Sequence, residues 1–218
     1  MFDQSDKSWY EKSARQADGS VDCFFLCQTT LFVGDDRIYG RDQHKRVDLP
    51  VPEGPVRDGF SRVRASEVSD VQSLVEHYVA VLNLARKHKR SFNAIRQHFW
   101  LRLSGEWPEE QSLWFPWFDT WDPMDAGLSK LRAGQEWWDF DQGWESILVK
   151  DGDWVHVRVG DGEGSEFFNV ALPADRLFDS AERLRSRMSE LIAKLTTEIG
   201  ADLWTSYRHR DDLPRPKS

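Results

Sequence analysis

The chain predicts an α+β fold, and three patterns carry that expectation. Trp144–Val149 and Trp154–Val159 are two alternating runs joined at Asp151-Gly152, whose glycine supplies the positive φ of a tight hairpin turn. Leu177, Ala181, Leu184, Met188, Leu191, Leu195 and Ile199 recur at spacings of three and four, a long helix close to a heptad seam. Ser69-Asp70-Val71-Gln72 has the form of a capping box ahead of Val71, Leu74, Val75, Tyr78, Leu82 and Ala85 at helical spacing.

Taken in order, residues 1–20 are polar, with no signal-peptide core, and read as a loosely attached segment or a short helix around Trp9 and Tyr10. Val21–Val33 reads as a strand, and Gly34-Asp35-Asp36 before Arg37–Gly40 as its hairpin return. Residues 41–59 carry Pro50, Pro52, Pro55, Gly54 and Gly59, a loop with at most an edge strand over Val47–Val51. The capped helix follows, and Ser91 is placed to cap a second helix with Phe92, Ile95, Phe99 and Leu103 on its apolar face, so that helices are expected near 69–103, with a break at Lys89-Arg90-Ser91 left open. Residues 104–143 have no clean period and read as an ordered loop with a short helix near Asp125–Arg132. Glu166–Leu172 completes a three-stranded meander, and the helix from 174 to 199, about 39 Å long at 1.5 Å per residue, ends at Gly200. The expected organisation is one α+β domain over 21–205, with 104–143 the place where two lobes would meet, between a polar head and a charged tail at 206–218.

Composition narrows the function. Apolar residues make up 39% and charged residues 30%, and no apolar run approaches the roughly 20 residues of a membrane span. Cys23 and Cys27, four apart in one strand, would stand about 13 Å from each other, too far to bridge; two buried free thiols fit a reducing cytoplasm. The six histidines are scattered: His77 and His88 share a helix face only about 16 Å apart, so no metal set forms. No phosphate-binding loop, nucleophile elbow or dinucleotide fingerprint occurs, and no cofactor is implied.

Charge and tryptophan are concentrated together. Between Gly105 and Asp153 there are 12 acids and 3 bases, a net of −9, and nine of the 11 tryptophans lie between Trp100 and Trp154. Arg86, Lys87, Lys89, Arg90, Arg96 and Arg102 span a stretch without an acid, yet a net charge of −8 speaks against nucleic acid as the partner. Tryptophan among carboxylates serves three ends: a core whose acids face water, a protein-binding patch with Trp anchors and steering acids, or a sugar platform. The candidate partner-binding residues are Glu109, Glu110, Trp114, Trp117, Asp119, Trp121, Asp122, Trp137, Trp138, Asp139 and Asp141. A hydrolase would instead pair Asp139 or Asp141 with Glu145. The helix at 177–199 offers a seam for a homodimer.

The acidic Trp-rich stretch over 105–153, and the unit from Gly143-Trp144-Glu145 through the Asp151-Gly152 hairpin to the Leu177–Ile199 helix, resemble in build the stand-alone immunity proteins of bacterial polymorphic-toxin systems. That resemblance implies a non-catalytic cytoplasmic inhibitor whose acidic Trp surface occludes a basic toxin domain.

Overall fold

The structure is a computed structural model and describes residues 8–34, 45–106, 112–141, 143–161, 163–206 and 213, with the backbone alone given for 112–119 and 141. The fold is α+β, built from mostly antiparallel strands and helices. The chain divides into two compact units, residues 1–23 with 102–186 and residues 24–101 with 187–218.

The first unit holds a five-stranded sheet. Its heart is β10 (Trp144–Asp151), β11 (Trp154–Asp161) and β12 (Glu166–Pro173), the expected antiparallel meander, with Gly152 at φ +55° in the first turn. Two further strands extend it: β9 (Trp137–Asp141) pairs with β10, and β1 (Ala14–Arg15) runs parallel to β12, giving the order β1-β12-β11-β10-β9. β9 lies where the sequence predicts an irregular loop. Alternation decides the faces. Leu148, Val157 and Val170 stand in register and are buried, and Trp137 joins them from β9. α4 (Trp121–Arg132) packs on β9 and β10 over that face. The helix begins four residues before the expected Asp125, because Pro123 falls in its first turn, where a missing N–H costs nothing. Gly127 explains the closeness of the packing: a Cβ there would lie 2.2 Å from Cε2 of the Trp137 indole. Arg185 ties the start of α5 (Ala174–Ile199) to α4, donating to Asp125 at 2.6 Å and to Ser129 at 3.0 Å. The other face carries α1 (Trp9–Lys12), whose Trp9 is buried against Ile147. The short helix expected around Trp9 and Tyr10 is therefore present, and from Trp9 onward the head of the chain is packed.

The second unit contains three features that sequence pattern misses. The strand expected over Val21–Val33 breaks at Thr29 into β2 (Ser20–Gln28) and β3 (Thr30–Phe32). β2 pairs with β6 (Phe60–Arg64), and β3 pairs with β4 (Arg46–Asp48), which lies inside the expected loop. β5 (Val56–Arg57) flanks β6 in the order β5-β6-β2, while β7 (Leu101–Glu106), beyond Leu101, and β8 (Ser112–Asp119) fall within the residues of the first unit. The expected hairpin at 34–40 lies outside the described residues for all but Gly34.

Helices do not fill 69–103. α2 (Gln72–Lys87) ends where Lys89 takes φ +52°, α3 (Phe92–Ile95) is one turn capped by Ser91, and a 3-10 turn over Arg96–Phe99 leads into β7. Leu103 is thus a buried strand residue, because Gly105 and the alternation Leu101, Leu103 favour extended backbone once the basic turn has broken the helix. The capping box is also not formed: Asp70 accepts from the Gln72 N–H at 3.2 Å, an Asx turn ahead of the helix.

α5 matches its expected limits, and all seven residues of the heptad-like seam are buried within the chain. A second copy would therefore find that seam already covered. Past Gly200, at φ +82°, Trp204 is fully buried and packs on Tyr78 and Phe99, with ring centroids 4.9 and 6.1 Å away. Cys23 and Cys27 are buried and unbridged; burial pushes the Cys27 thiol up to about 12.

Candidate functional site: an aromatic, acid-rimmed sheet end

Of the eleven residues that the sequence nominates, the five whose side chains are described do not form one surface. Trp121 and Trp137 are core, at 6% and 8% exposure, one on α4 and the other beneath it. Asp122 is exposed in the first turn of α4, where a carboxylate complements the helix dipole. Trp138 is half exposed, and Asp139 is half-buried with its Oδ2 inside the protein. Glu109 and Glu110 lie outside the described residues. Trp114, Trp117 and Asp119 lie on β8 and Asp141 on β9, where only the backbone is described.

What the structure does bring to one end of the first unit's sheet is two pairs of large aromatics, Trp138 and Phe140 on the face of Glu145 and Ile147, and Trp144 with Phe167 on the opposite face. Trp138, Phe140, Trp144 and Phe167 are 38%, 43%, 48% and 45% exposed; among the described residues the other large exposed hydrophobics are Val51 and Val56. Phe140 and Trp144 flank the β9–β10 turn, and Phe167 follows the β11–β12 turn, so both turns close the same end.

Strand register explains each exposure. In β9, Trp137 and Asp139 take one face and Trp138 and Phe140 the other. Trp138 stands opposite Ile147 and Phe140 opposite Glu145. The Trp138 indole N–H donates to Glu145 Oε1 at 3.0 Å, diagonally across the hairpin, which fixes the ring with part of its surface outward. Trp144 lies opposite both Asp141 and Asp161. Its ring meets Phe167, centroids 5.1 Å apart, because a register shift at Val159/Gly160 leaves Phe167 as the extra residue of β12.

The rim is acidic. Residues 136–147 and 158–169 contain seven acids and one base, Arg158; Glu145 among them is buried, while Glu163 and Glu166 are exposed and Asp161 half-buried at the β11–β12 turn. Arg158 is engaged, donating from Nε to Glu166 at 2.8 Å. Asp161 accepts from the Ser165 N–H at 2.8 Å and the Glu163 N–H at 3.0 Å, and these bonds, Ser165 first, hold its carboxyl below the usual range. Its charge is thereby kept at the turn beside Trp144.

The carboxylates that a hydrolase would use do not converge. Asp139 belongs to one face in register and Glu145, opposite Phe140, to the other; Asp141 is described by its backbone alone. Among the described residues no group of three or more His, Cys, Asp or Glu is placed to hold a metal ion, and no helix is long and apolar enough to cross a membrane. No known protein family, curated protein or solved structure matches this chain.

Sequence reasoning misses Phe140, Trp144 and Phe167. Phe140 sits in a stretch that reads as a loop, and Trp144 and Phe167 sit in strands of the meander. Period two over Trp137–Asp141 is the available signal, since it separates Trp137 from Trp138 and Phe140. Phe167 has none: its exposure comes from a bulge.

Proposed function

We propose that the chain is a non-catalytic binding protein that docks a basic protein partner on this sheet end, as an immunity protein occludes a toxin. The observation that carries the reading is the coincidence, at one end of one sheet, of four half-exposed aromatics, a pair on each face, with the acids of the β11–β12 turn, Asp161, Glu163 and Glu166. Aromatic side chains left in water are the anchors that yield most energy when an interface closes over them. A single-sign rim raises the encounter rate of an oppositely charged partner and rejects like-charged ones. Pre-orientation of Trp138 by Glu145 lowers the ordering cost of binding.

The deciding experiment co-produces the chain with the protein encoded beside its gene, and reads cell growth together with complex formation by size-exclusion chromatography. A complex that protects growth and weakens at least about tenfold in Trp144→Ala or Phe140→Ala supports the reading. No complex, or one indifferent to both substitutions, overturns it. A saturable quench of tryptophan fluorescence by a glycan would favour the sugar-platform alternative.

A further inference from the structure

The same sheet carries a cover. Residues 8–15, α1 and β1, lie across the face that Trp138 and Phe140 share. Trp9 packs on Ile147, with Tyr10 and Val149 at the margin, and Tyr10 stacks on His156 at 4.7 Å. Ile147 is the register partner of Trp138, so the covered strip continues directly into the exposed aromatic edge. With the segment lifted away, Ile147 and Val149 would lie bare beside Trp138.

The segment is held by a directed chain of hydrogen bonds more than by regular structure. Ser13 Oγ lies 2.7 Å from Asn169 Oδ1, 3.0 Å from His156 Nδ1 and 3.1 Å from the Trp9 carbonyl oxygen. One hydroxyl has one proton. The arrangement that satisfies most partners has His156 Nδ1–H donating to Ser13, Ser13 donating to Asn169, and the Asn169 amide donating to the Trp9 carbonyl at 3.3 Å. In that arrangement the histidine is a donor to Ser13. Regular structure adds little. α1 is a single turn, and β1 is two residues in the weaker parallel pairing at a sheet edge.

We propose that residues 8–15 form a latched strap over a docking strip, held shut by the Ser13–His156–Asn169 chain, and that release of the strap extends the Trp138–Phe140 surface by Ile147 and Val149. Opening of the strap stands on its own geometry; use of the uncovered strip by a basic partner rests on the function proposed above.

Backbone amide exchange on the full chain tests the opening. The Ser13 and Gln16 N–H groups, bonded to the carbonyls of Tyr10 and Ala171, report on the strap. They are expected to exchange at least about 100-fold faster than amides of β11, the signature of opening below the global free energy. Asn169→Ala or Ser13→Ala should accelerate them about tenfold more while α5 amides keep their rates, and should raise Nile red fluorescence. Strap amides that exchange at the rate of β11, or that ignore both substitutions, overturn the strap. A second variant tests its role. Ala14→Cys with Val170→Cys, directly opposite in the parallel pair, locks the strap when oxidised. Locked protein should bind the protein encoded beside its gene at least about tenfold more weakly than the reduced form. Equal binding in both forms, with Trp144→Ala still defective, removes the strap's role and leaves the docking reading standing. Should no complex form at all, the docking reading falls, and exchange alone decides whether the strap opens.

Discussion

Tyr78, Phe92, Phe99 and Trp204 in one unit and Trp138, Phe140, Trp144 and Phe167 in the other are the same chemistry in opposite surroundings. The first four are buried, with Tyr78, Phe99 and Trp204 in mutual contact at centroid distances of 4.9 to 6.1 Å. The second four are each more than a third exposed. Charge divides the same way. The unit with the exposed set has 23 acids and 11 bases, net −12; the unit with the buried set has 14 acids and 18 bases, net +4. A count of aromatics is therefore no measure of a binding site. What separates a core from a candidate surface is whether other elements close over the rings, and here the acidic unit leaves its sheet end uncovered.

The largest effect that would break this comparison is on stability. Trp204→Ala should cost about 3–5 kcal/mol in chemical denaturation, because a fully buried indole leaves a cavity between Tyr78 and Phe99. Trp144→Ala should stay within about 1 kcal/mol of wild type, since half of that side chain already meets water. Equal losses would mean that the exposed set is structural. Gly127→Ala comes next, at about 1–3 kcal/mol or more: the new methyl meets the Trp137 ring at 2.2 Å, and that ring is pinned beneath α4.

Acid should act on the buried aromatic unit. Desolvation pushes His77 down to about 4 and His98 to about 3, and both are held neutral in the core. In the unfolded chain both titrate near 6.5, so the unfolded state takes up protons first. Stability is thus complete above about pH 6.5 and falls as pH drops through 4 toward 3. His77→Gln should flatten that acid limb in denaturation midpoints measured from pH 7 to 4; an unchanged slope would show that His77 is not its source. The smallest expected effect concerns the rim. Association with a basic partner should slow about tenfold between 50 and 500 mM salt, while dissociation changes little. A rate indifferent to salt would reduce the acids to solvated decoration.

Several elements are legible because their causes are local. Gly152 at φ +55° sets the β10–β11 turn, and the spacing of Leu177 to Ile199 sets α5, whose limits match the expected ones. Others depend on partners far along the chain. β6 is invisible in Phe60–Arg64 because its strand character comes from pairing with Phe24–Gln28. β9 reads as loop because two tryptophans, two aspartates and a phenylalanine have no strong intrinsic preference, and pairing with β10 decides them.

The site is legible in its composition and not in its membership. Sequence alone locates the acidic, tryptophan-rich stretch, since charge and residue type are properties of the chain in any conformation. Alternation can set Trp137 and Trp138, neighbours of identical chemistry, on opposite faces, but it does not say which face is inside; one lies beneath α4 at 8% exposure and the other is 38% exposed. That division follows from the parity of a strand, and parity is set only when β10 and α4 fix which face is inside. Trp204 and Phe167 teach the same lesson from outside the stretch: a tertiary pocket buries the first, and a one-residue shift against β11 exposes the second.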